Sequence, residues 1–532
     1  MSGFHEPSTL NVGVGTFNIL ADCYALGEFA TWDGDDGLVW PHRREKIAEI
    51  IHRMLQDFDV VVTQENDHFF DILNLLRSYD DSVDGLFGVR ADSGCTFGSL
   101  QQDKCDRSAE QESVPFNYRS FFQAPQSSGT SGTSNDDEQS YYSHYGIGIY
   151  YHSSVIQRQE ILLGPGQKLL KGGRILDPAV VLFPAGKGTV SFLAATFSKR
   201  QSHKSPYTSS EYAGPFTVVG AHLASGVSRV QEDKRCAQAA HIWAAVAAAR
   251  SSRPQPIIWA MDSNTCNEYL SIMADAPHTE SSPSNSNCQR QATDLLGLSG
   301  FLSSHGLLSL VPEEDCRFQC FKMRHCRGNQ PQKFAELMLC CIDKVCLWLP
   351  GGWKFGTAAP LSLLGSTDLG STDQTTPSSS DPGYANEDTK TKAKSPPPPL
   401  SPEEVLTVQR LRRDPDQHRR LRKLFFGLPW ENVEKEETAP RSVRETGERD
   451  CKEKSYVSSE ILDPLFFTKE DDPATVLARF PNAFGSKLKE HFAMLPESLQ
   501  RELAPLQRLM PTCANPSDHP PIGVQFTLAK MH

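Results

Sequence analysis

Short apolar runs recur through the first two thirds of the chain and once more near its end. They are rich in β-branched and aromatic residues and are bounded by turn-forming residues, a pattern typical of buried strands. The sequence therefore predicts strands at 11–17, 59–64, 145–151, 189–196, 216–221, 256–261, 341–349 and 521–528.

Segments with helical periodicity lie between some of these strands, at 41–55, 68–77 and 231–250. The last of the three is rich in alanine. Two more are predicted nearer the C-terminus, at 402–426 and as short amphipathic helices within 486–509. Breaks in the second are expected near Pro496 and Pro505, because proline does not continue a helix. Strands interleaved with helices predict an α/β (α+β) fold.

Low-complexity segments at 125–139, 281–287 and 366–399 interrupt this pattern, and we expect disordered surface insertions there. If the strand at 521–528 pairs with the early strands, the domain closes only at its C-terminal end. We therefore predict one catalytic domain formed by 10–354 and 456–532, with a low-complexity and charged insertion at 355–455.

The net charge of -12 and the pI near 5.8 argue against a protein held to nucleic acid by bulk electrostatics. A phosphate substrate must then be met by a local site, and a metal ion among carboxylates can provide one. A basic cluster in 402–426 is interpreted as a solvated helix face, with an RNA-contacting or nuclear-import patch as the alternative.

Fourteen cysteines occur at irregular spacing, the N-terminus has no signal-peptide pattern, and no long uncharged apolar run is present. These features predict an intracellular protein, cytoplasmic or nuclear, with no membrane partner. The group Cys316, Cys320, His325 and Cys326 lacks the paired spacing of zinc sites. Buried or incidental thiols are the favoured interpretation of that group.

Polar residues follow several of the predicted strands at the point where each strand ends. Asn18, Glu65, His222 and Asp262 hold such positions, and Asn264 lies on the same side as Asp262 if the chain stays extended. If these strands are parallel, their carboxyl ends meet at one edge of the sheet. Taken singly, each of these residues is more often a turn residue or a structural histidine.

The residue types suit metal-assisted phosphate chemistry. Glu65 and Asp262 are hard oxygen donors and the two asparagines are neutral ones, a mixture that fits Mg²⁺, while His222 can donate to a phosphoryl oxygen. Asp343 lies within an apolar run, where an unpaired carboxylate is costly. His519, which follows Asp518, is its natural partner, because a carboxylate fixes the tautomer of an imidazole and raises its basicity.

The order of motifs resembles a known family. The motifs are FNILADCYA, PHRREKIAEII, DVVVTQENDHFFDIL, YGIGIYY, FTVVGAHL with RCAQ, MDSN, FKMR with CIDKVCLW, and LMPTCANPSDHPPIG. In this order they resemble the deadenylase-like branch of the endonuclease/exonuclease/phosphatase superfamily. That branch includes the carbon-catabolite-repressor deadenylases, the 2′-phosphodiesterase and nocturnin.

The resemblance implies a four-layer sandwich of two mixed β-sheets flanked by helices. It also implies one or two Mg²⁺ ions, with Mn²⁺ as a possible substitute, bound mainly by Glu65. The other implied metal ligands are Asp262, Asn264 and Asp518. The implied catalytic residues are Asn18, His222, Asp262, Asn264, Asp343 and His519. The implied substrate contacts are Asn18, Glu65, His222, Asn264 and His519.

The activity implied by the resemblance is that of a 3′–5′ exoribonuclease, which hydrolyses phosphodiesters at an RNA 3′ end such as poly(A). The motif QENDHFFD favours a second activity, a nocturnin-like 2′-phosphatase acting on NADP(H). An inactive homologue that binds RNA or a protein partner through its 355–455 insertion is the alternative of another class.

Departures from the family pattern make the substrate harder to assign than the chemistry. Met261 and Ser263 flank Asp262 where the family has Gly and Phe, and Ala224 with Ser225 stand where nocturnin-type proteins have a basic residue. Lys344 replaces an aromatic residue next to Asp343.

Overall fold

The computed structural model of this protein describes 16 strands and six α-helices in part of the chain. The described residues are 8–21, 24–25, 40–90, 146–170, 178–184, 191–200, 214–226, 228–250, 254–266, 297–314, 318–324, 336–362, 400–413, 492–493, 497–512 and 515–531. The predicted insertions at 125–139, 281–287 and 366–399 lie outside them.

The strands of the first half of the chain are β1 (Ser8–Asn18), β2 (Val60–Asn66), β3 (Val83–Arg90), β4 (Gly146–His152), β5 (Ile156–Leu162), β6 (Lys168–Leu170), β7 (Ala179–Phe183), β8 (Ser191–Lys199), β9 (Phe216–His222) and β10 (Ile257–Asp262). The later strands are β11 (Leu308–Ser309), β12 (Cys320–Arg324), β13 (Glu336–Cys340), β14 (Asp343–Trp348), β15 (Trp353–Ser362) and β16 (Ile522–Lys530).

The helices are α1 (Trp40–Asp57), α2 (Phe69–Tyr79), α3 (Arg229–Arg250), α4 (Gly297–Ser304), α5 (Pro402–Arg413) and α6 (Glu497–Glu502), followed by a 3₁₀ helix (Ala504–Arg508). Among the described residues, no helix has both the length and the apolar character needed to cross a lipid bilayer.

The described strands form two large mixed sheets and one small two-stranded sheet. The eight-stranded sheet has the order β15-β16-β1-β2-β4-β3-β7-β6, and the six-stranded sheet has the order β11-β14-β10-β9-β8-β5. Both contain parallel and antiparallel pairs, for example parallel β1–β2 beside antiparallel β1–β16. β12 and β13 pair separately.

The main core lies between the two large sheets. Val14 and Val62 of one sheet share a buried cluster with Ile258 and Val345 of the other. Side chains of one sheet pack directly on the backbone of the other at Gly220, where an added Cβ would lie 2.6 Å from Val62 Cγ1. Because β10 is covered on both faces, it is apolar from Ile257 to Met261 instead of alternating.

Helices cover the outer face of each sheet. α1 and α2 pack on the eight-stranded sheet, with Ile51 and Phe69 in one cluster with Val61. α3 and α4 pack on the six-stranded sheet, with Ile242 and Leu298 beside Trp259. The predicted four-layer sandwich of mixed sheets and helices is therefore confirmed.

Every predicted strand is present to within a few residues, but the described part of the chain holds eight further strands that the sequence patterns do not predict. The missed strands are β3, β5, β6, β7, β11, β12, β13 and β15. β5, β6 and β15 are edge strands, which have less need of an apolar pattern, and β15 contains Gly356 and Pro360, residues that disfavour a strand prediction.

The eight-stranded sheet extends into the segment predicted as an insertion. β15 pairs with β16 as far as Ser362, so the start of the insertion at 355 is too early. α5 also packs on the fold, with Val408 buried and Glu404 2.8 Å from Arg508 of the 3₁₀ helix. The rest of the domain division stays a prediction.

The strand directions bring one end of each large sheet together. β1 and β2 are parallel, as are β9 and β10, so Asn18, Glu65, His222 and Asp262 lie at carboxyl ends. β14 runs antiparallel to β10, which places its first residue, Asp343, opposite Asp262. β16 enters antiparallel to β1, and its preceding loop reaches the same edge.

Candidate active site

A cluster of carboxylates and one imidazole lies where the two sheets meet. Asn18 Nδ2 donates to Asp262 Oδ2 at 3.0 Å. His222 Nε2 lies 3.4 Å from Asp262 Oδ2 and 3.8 Å from Glu65 Oε1. Asp262 is buried, whereas the Glu65 and His222 side chains keep some exposure, so the cluster opens to solvent on their side.

A β-bulge directs Glu65 into the site. The β2–β4 register shifts between Thr63 and Asn66, and Glu65 sits in the extra step with φ at 52°. Its carboxylate then accepts a hydrogen bond from Ala21 N at 3.2 Å, in the loop after β1. Bulges are common beside active sites because they re-aim a side chain that a regular strand would hold elsewhere.

Backbone strain is concentrated at this site. Within the described part of the chain, the non-glycine residues in the left-handed region are Leu20, Glu65 and Asn264, with φ of 62°, 52° and 52°. Each lies at, or within two residues of, the end of a strand that carries a candidate residue. Such conformations persist where the surroundings enforce them, most often at functional sites.

Asn264 is not on an extended continuation of β10, contrary to the sequence-based expectation. Its backbone N–H donates to Asp262 Oδ1 at 2.9 Å, which closes a turn. Its side-chain Nδ2 donates to Leu223 O at 3.0 Å, after β9. The structure therefore shows Asn264 fixing the Asp262 carboxylate and the loop after His222.

Asp343 and His519 form a buried pair beside this cluster. His519 Nδ1 lies 2.8 Å from Asp343 Oδ2, and both side chains are almost fully buried. His519 Nε2 lies 3.8 Å from Asp262 Oδ2, so the imidazole bridges from Asp343 to the carboxylate cluster. The sequence predicts that these two residues pair. In the structure they are in contact although 176 residues separate them along the chain.

The electrostatics of the pair favour a retained proton. Burial disfavours the charged imidazolium, but the carboxylates of Asp343, Asp518 and Asp262 outweigh it and raise the pKa of His519 to about 10. Burial also raises the pKa of Asp343, although His519 opposes this shift. The pair therefore keeps a proton to higher pH than an exposed histidine would.

Sequence reasoning missed Lys322, which lies within the site. This buried lysine of β12 donates from Nζ to Asp518 Oδ2 and lies 3.5 Å from His519 Nε2. The available signal was the lysine of the motif FKMR, which directly follows the apolar Phe321 in a predicted family motif. Because an ammonium already neutralises Asp518, this carboxylate is less suited to a metal ion than Glu65 or Asp262.

Buried Arg43 of α1 connects the two loops that carry site residues. Its guanidinium donates to Ile19 O at 2.5 Å and to Leu20 O, beyond Asn18. Its Nε donates to Pro516 O at 3.1 Å, and the neighbouring Ser517 Oγ donates to Asn18 O at 2.5 Å. The loop that precedes Asp518 and His519 is thereby fixed to the end of β1.

A second buried arginine fixes the loop after His222. Arg235 Nη1 donates to Ala224 O and Gly226 O at 2.8 and 2.7 Å. Its Nε donates at 2.7 Å to Glu232, which also accepts from Thr265 Oγ1 at 3.0 Å. The loops after β9 and β10 are thus tied to α3.

We predict that Glu232→Gln destabilises the protein by about 3–5 kcal/mol, because it leaves the buried Arg235 guanidinium without its carboxylate. Urea unfolding would measure this change. The matched control is Asp233→Asn on the same helix, where the ion pair with Arg229 is exposed and should be worth less than about 1 kcal/mol. Equal effects of the two substitutions would contradict the structural role of Glu232.

The departures from the family pattern have structural partners here. Ser263 Oγ donates to Ile342 O at 2.5 Å and so ties the end of β10 to the turn before Asp343. Ala224 N donates to Gln238 Oε1 at 2.8 Å. Lys344 is buried and donates to Glu313. The residues that depart from the family pattern therefore make hydrogen bonds of their own next to Asp262 and Asp343.

The donor set at the sheet edge fits a hard divalent cation. One ligand atom each from Glu65, His222 and Asp262 lies within 4.8 Å of the others. Two carboxylates, with Glu65 partly exposed to solvent, match the preference of Mg²⁺ for oxygen ligands and retained waters. Glu65 and Asp262 are therefore the residues that would hold it.

Comparison with known proteins gives similarity in solved structures alone. No family model matches the chain, and no curated protein matches it. The human nocturnin catalytic domain with bound sulfate anion is similar at 14% identity, with 66% of this chain and 89% of that chain covered and a TM-score of 0.30.

Two other solved structures give the same result. ANGEL2, a 2′,3′-cyclic phosphatase, is similar at 13% identity over 67% of this chain and 89% of its own, with a TM-score of 0.35. An endonuclease/exonuclease/phosphatase family protein from Bacteroides thetaiotaomicron is similar at 14% identity over 67% and 88%, with a TM-score of 0.32.

Proposed function

We propose that this protein is a Mg²⁺-dependent phosphoric ester hydrolase, acting as a 3′–5′ exoribonuclease on RNA. The observation that supports the proposal is the adjacency of two units with complementary chemistry. The Glu65 and Asp262 carboxylates suit a metal ion, and the Asp343–His519 pair suits proton transfer, with 3.8 Å between His519 Nε2 and Asp262 Oδ2.

The roles of the side chains follow from this arrangement. Mg²⁺, when bound, supplies a Lewis acid for the phosphoryl oxygens. Asp343 holds the His519 ring through Nδ1, so Nε2 faces the carboxylate cluster and can exchange a proton with the attacking water. Asn18 and His222 lie within reach of the same centre and can donate hydrogen bonds to the oxygens that gain charge.

The motif FNILADCYA supports an RNA 3′ end such as poly(A) as the substrate. The second candidate is a 2′-phosphatase acting on NADP(H), favoured by the motif QENDHFFD. Both candidates use the same metal site.

We expect the purified full chain to hydrolyse one of these substrates in the presence of Mg²⁺. A 5′-labelled RNA with an A-tail would be offered beside NADP, with ladder shortening and phosphate release as the separate measurements. Chelation with EDTA should abolish the activity and excess Mg²⁺ should restore it, because the metal ion supplies the electrophile. Activity that survives EDTA, or no hydrolysis of either substrate, would contradict the proposal and, in the second case, favour an inactive binding homologue.

A further inference from the structure

A second cluster of metal-ligand atoms lies on the far side of His519 from Asp262. Cys320 Sγ of β12 is 3.6 Å from His519 Nδ1 and 3.5 Å from Asp343 Oδ2. All three residues are buried, and their ligand atoms lie within 4.8 Å of one another. We call Cys320, Asp343 and His519 the thiol cluster. The zinc group considered from sequence shares only Cys320 with it.

The separations in the thiol cluster match a tetrahedral zinc site. With Zn–S near 2.3 Å and Zn–N and Zn–O near 2.1 Å, tetrahedral angles give about 3.6 Å from sulfur to nitrogen or oxygen and about 3.4 Å from nitrogen to oxygen. The observed sulfur distances are 3.6 and 3.5 Å. The nitrogen–oxygen distance is 2.8 Å, since a proton now joins these atoms, and must open by about 0.6 Å.

An unsatisfied atom points to a missing ligand. Within the described part of the chain, Asp343 Oδ1 is buried and has no hydrogen-bond partner. Such an orphan is costly unless something occupies its lone pairs. The sulfur and nitrogen of the cluster approach Oδ2, so a divalent cation would remove that cost if both oxygens of the Asp343 carboxylate bind it.

Charge and softness select the class of ion. One thiolate and one carboxylate balance a divalent cation, so no net charge is buried. Burial raises the pKa of the Cys320 thiol well above its usual value, but a coordinating metal displaces the thiol proton. Sulfur and imidazole donors prefer Zn²⁺, whereas the oxygen donors of Glu65 and Asp262 suit Mg²⁺.

We propose that the thiol cluster binds Zn²⁺, at a site separate from the Mg²⁺ site, and that this binding inhibits the enzyme. The Cys320 thiol releases its proton to solvent and the sulfur bonds to the metal. At His519 the metal takes the place of the Nδ1 proton, which is also released to solvent, and the neutral ring keeps its one hydrogen on Nε2. A ring held this way can no longer form the imidazolium that Asp343 stabilises, so it cannot exchange a proton with the attacking water, a consequence that rests on the proposed function.

Cobalt provides a direct test of binding that needs no activity. Co²⁺ added to the full chain should produce a thiolate-to-cobalt charge-transfer band in the near ultraviolet, and Zn²⁺ should displace it. The band should disappear in Cys320→Ala and in Cys320→Ser. It should persist in Cys346→Ala, a matched buried free cysteine on β14, and in Glu65→Gln. Absence of the band in the unsubstituted chain, or its persistence in both Cys320 variants, would overturn the site.

Inhibition is tested separately by titrating Zn²⁺ into the Mg²⁺-dependent assay, with each variant compared with its own zinc-free rate. Loss of a thiolate ligand should raise the half-inhibitory Zn²⁺ concentration by about 100-fold or more, since even an outer-shell partner is worth about 10- to 100-fold. Cys346→Ala should leave it unchanged. A cobalt band without any hydrolase activity would reject the proposed function and keep the site, whereas unchanged zinc sensitivity in both Cys320 variants would reject inhibition through the cluster.

Discussion

Glu65→Gln is expected to lower kcat/KM for Mg²⁺-dependent hydrolysis by at least about 10³-fold, because a bound metal supplies several kcal/mol of transition-state stabilisation. The substitution keeps the shape of the side chain and an oxygen that can accept from Ala21 N, but removes the charge that attracts the cation. The fold should be preserved, because the Glu65 side chain is partly exposed to solvent. Isothermal titration with Mg²⁺ and urea unfolding would measure metal affinity and stability separately.

Glu49→Gln is the matched control for this substitution. Glu49 lies on α1 and pairs with Lys46 and Arg53 at the protein surface. Its loss should leave hydrolysis and Mg²⁺ binding unchanged. If Glu65→Gln retains the unsubstituted rate, Glu65 is not a metal ligand and the site assignment is rejected.

The positions of the site residues could be predicted because strand ends are visible in the sequence. The apolar run before Asp262 identifies β10, and a fully apolar strand requires a sheet covered on both faces. The need of a buried carboxylate for a partner, applied to Asp343, leads to His519 without any structural information. These inferences depend on local burial, which the amino-acid types record directly.

Features that depend on pairing between distant segments could not be predicted. The bulge that directs Glu65 arises from the register of β2 against β4, and no residue in DVVVTQEN marks it. The turn at Asn264 replaces an extended chain because Asp262 accepts its N–H. The burial of Lys322 is compensated by Asp518, 196 residues away in the chain, which a strand pattern does not reveal.

The same limit applies to the borders of the domain. β15 is an edge strand with Gly356 and Pro360, so its sequence is typical of a loop, yet β16 supplies its hydrogen bonds. Cys320 likewise belongs by spacing to one group of cysteines and histidines and by distance to Asp343 and His519. Spacing along the chain therefore identifies ligand types more readily than ligand sets.

Asp343→Asn is expected to lower kcat by about 10³- to 10⁴-fold with a smaller effect on KM, as removal of the carboxylate behind a catalytic imidazole does elsewhere. The amide no longer stabilises the imidazolium, and its NH₂ group can force the wrong tautomer on His519. Asp343 does not need to touch the substrate for this effect, so it is a positioning residue. Steady-state kinetics over a range of pH would separate a shifted His519 titration from a simple loss of stability.

The control for Asp343→Asn is Asp59→Asn, the same exchange at the opposite end of β2. Asp59 accepts from Gly13 N at 2.9 Å and pairs with Lys199 at 2.8 Å, so its loss should lower stability without changing kcat of the folded protein. A double-mutant cycle with His519→Asn adds a stricter test. If the two residues act as one unit, the double variant should be about as slow as the slower single variant, whereas multiplied losses would show that they act independently.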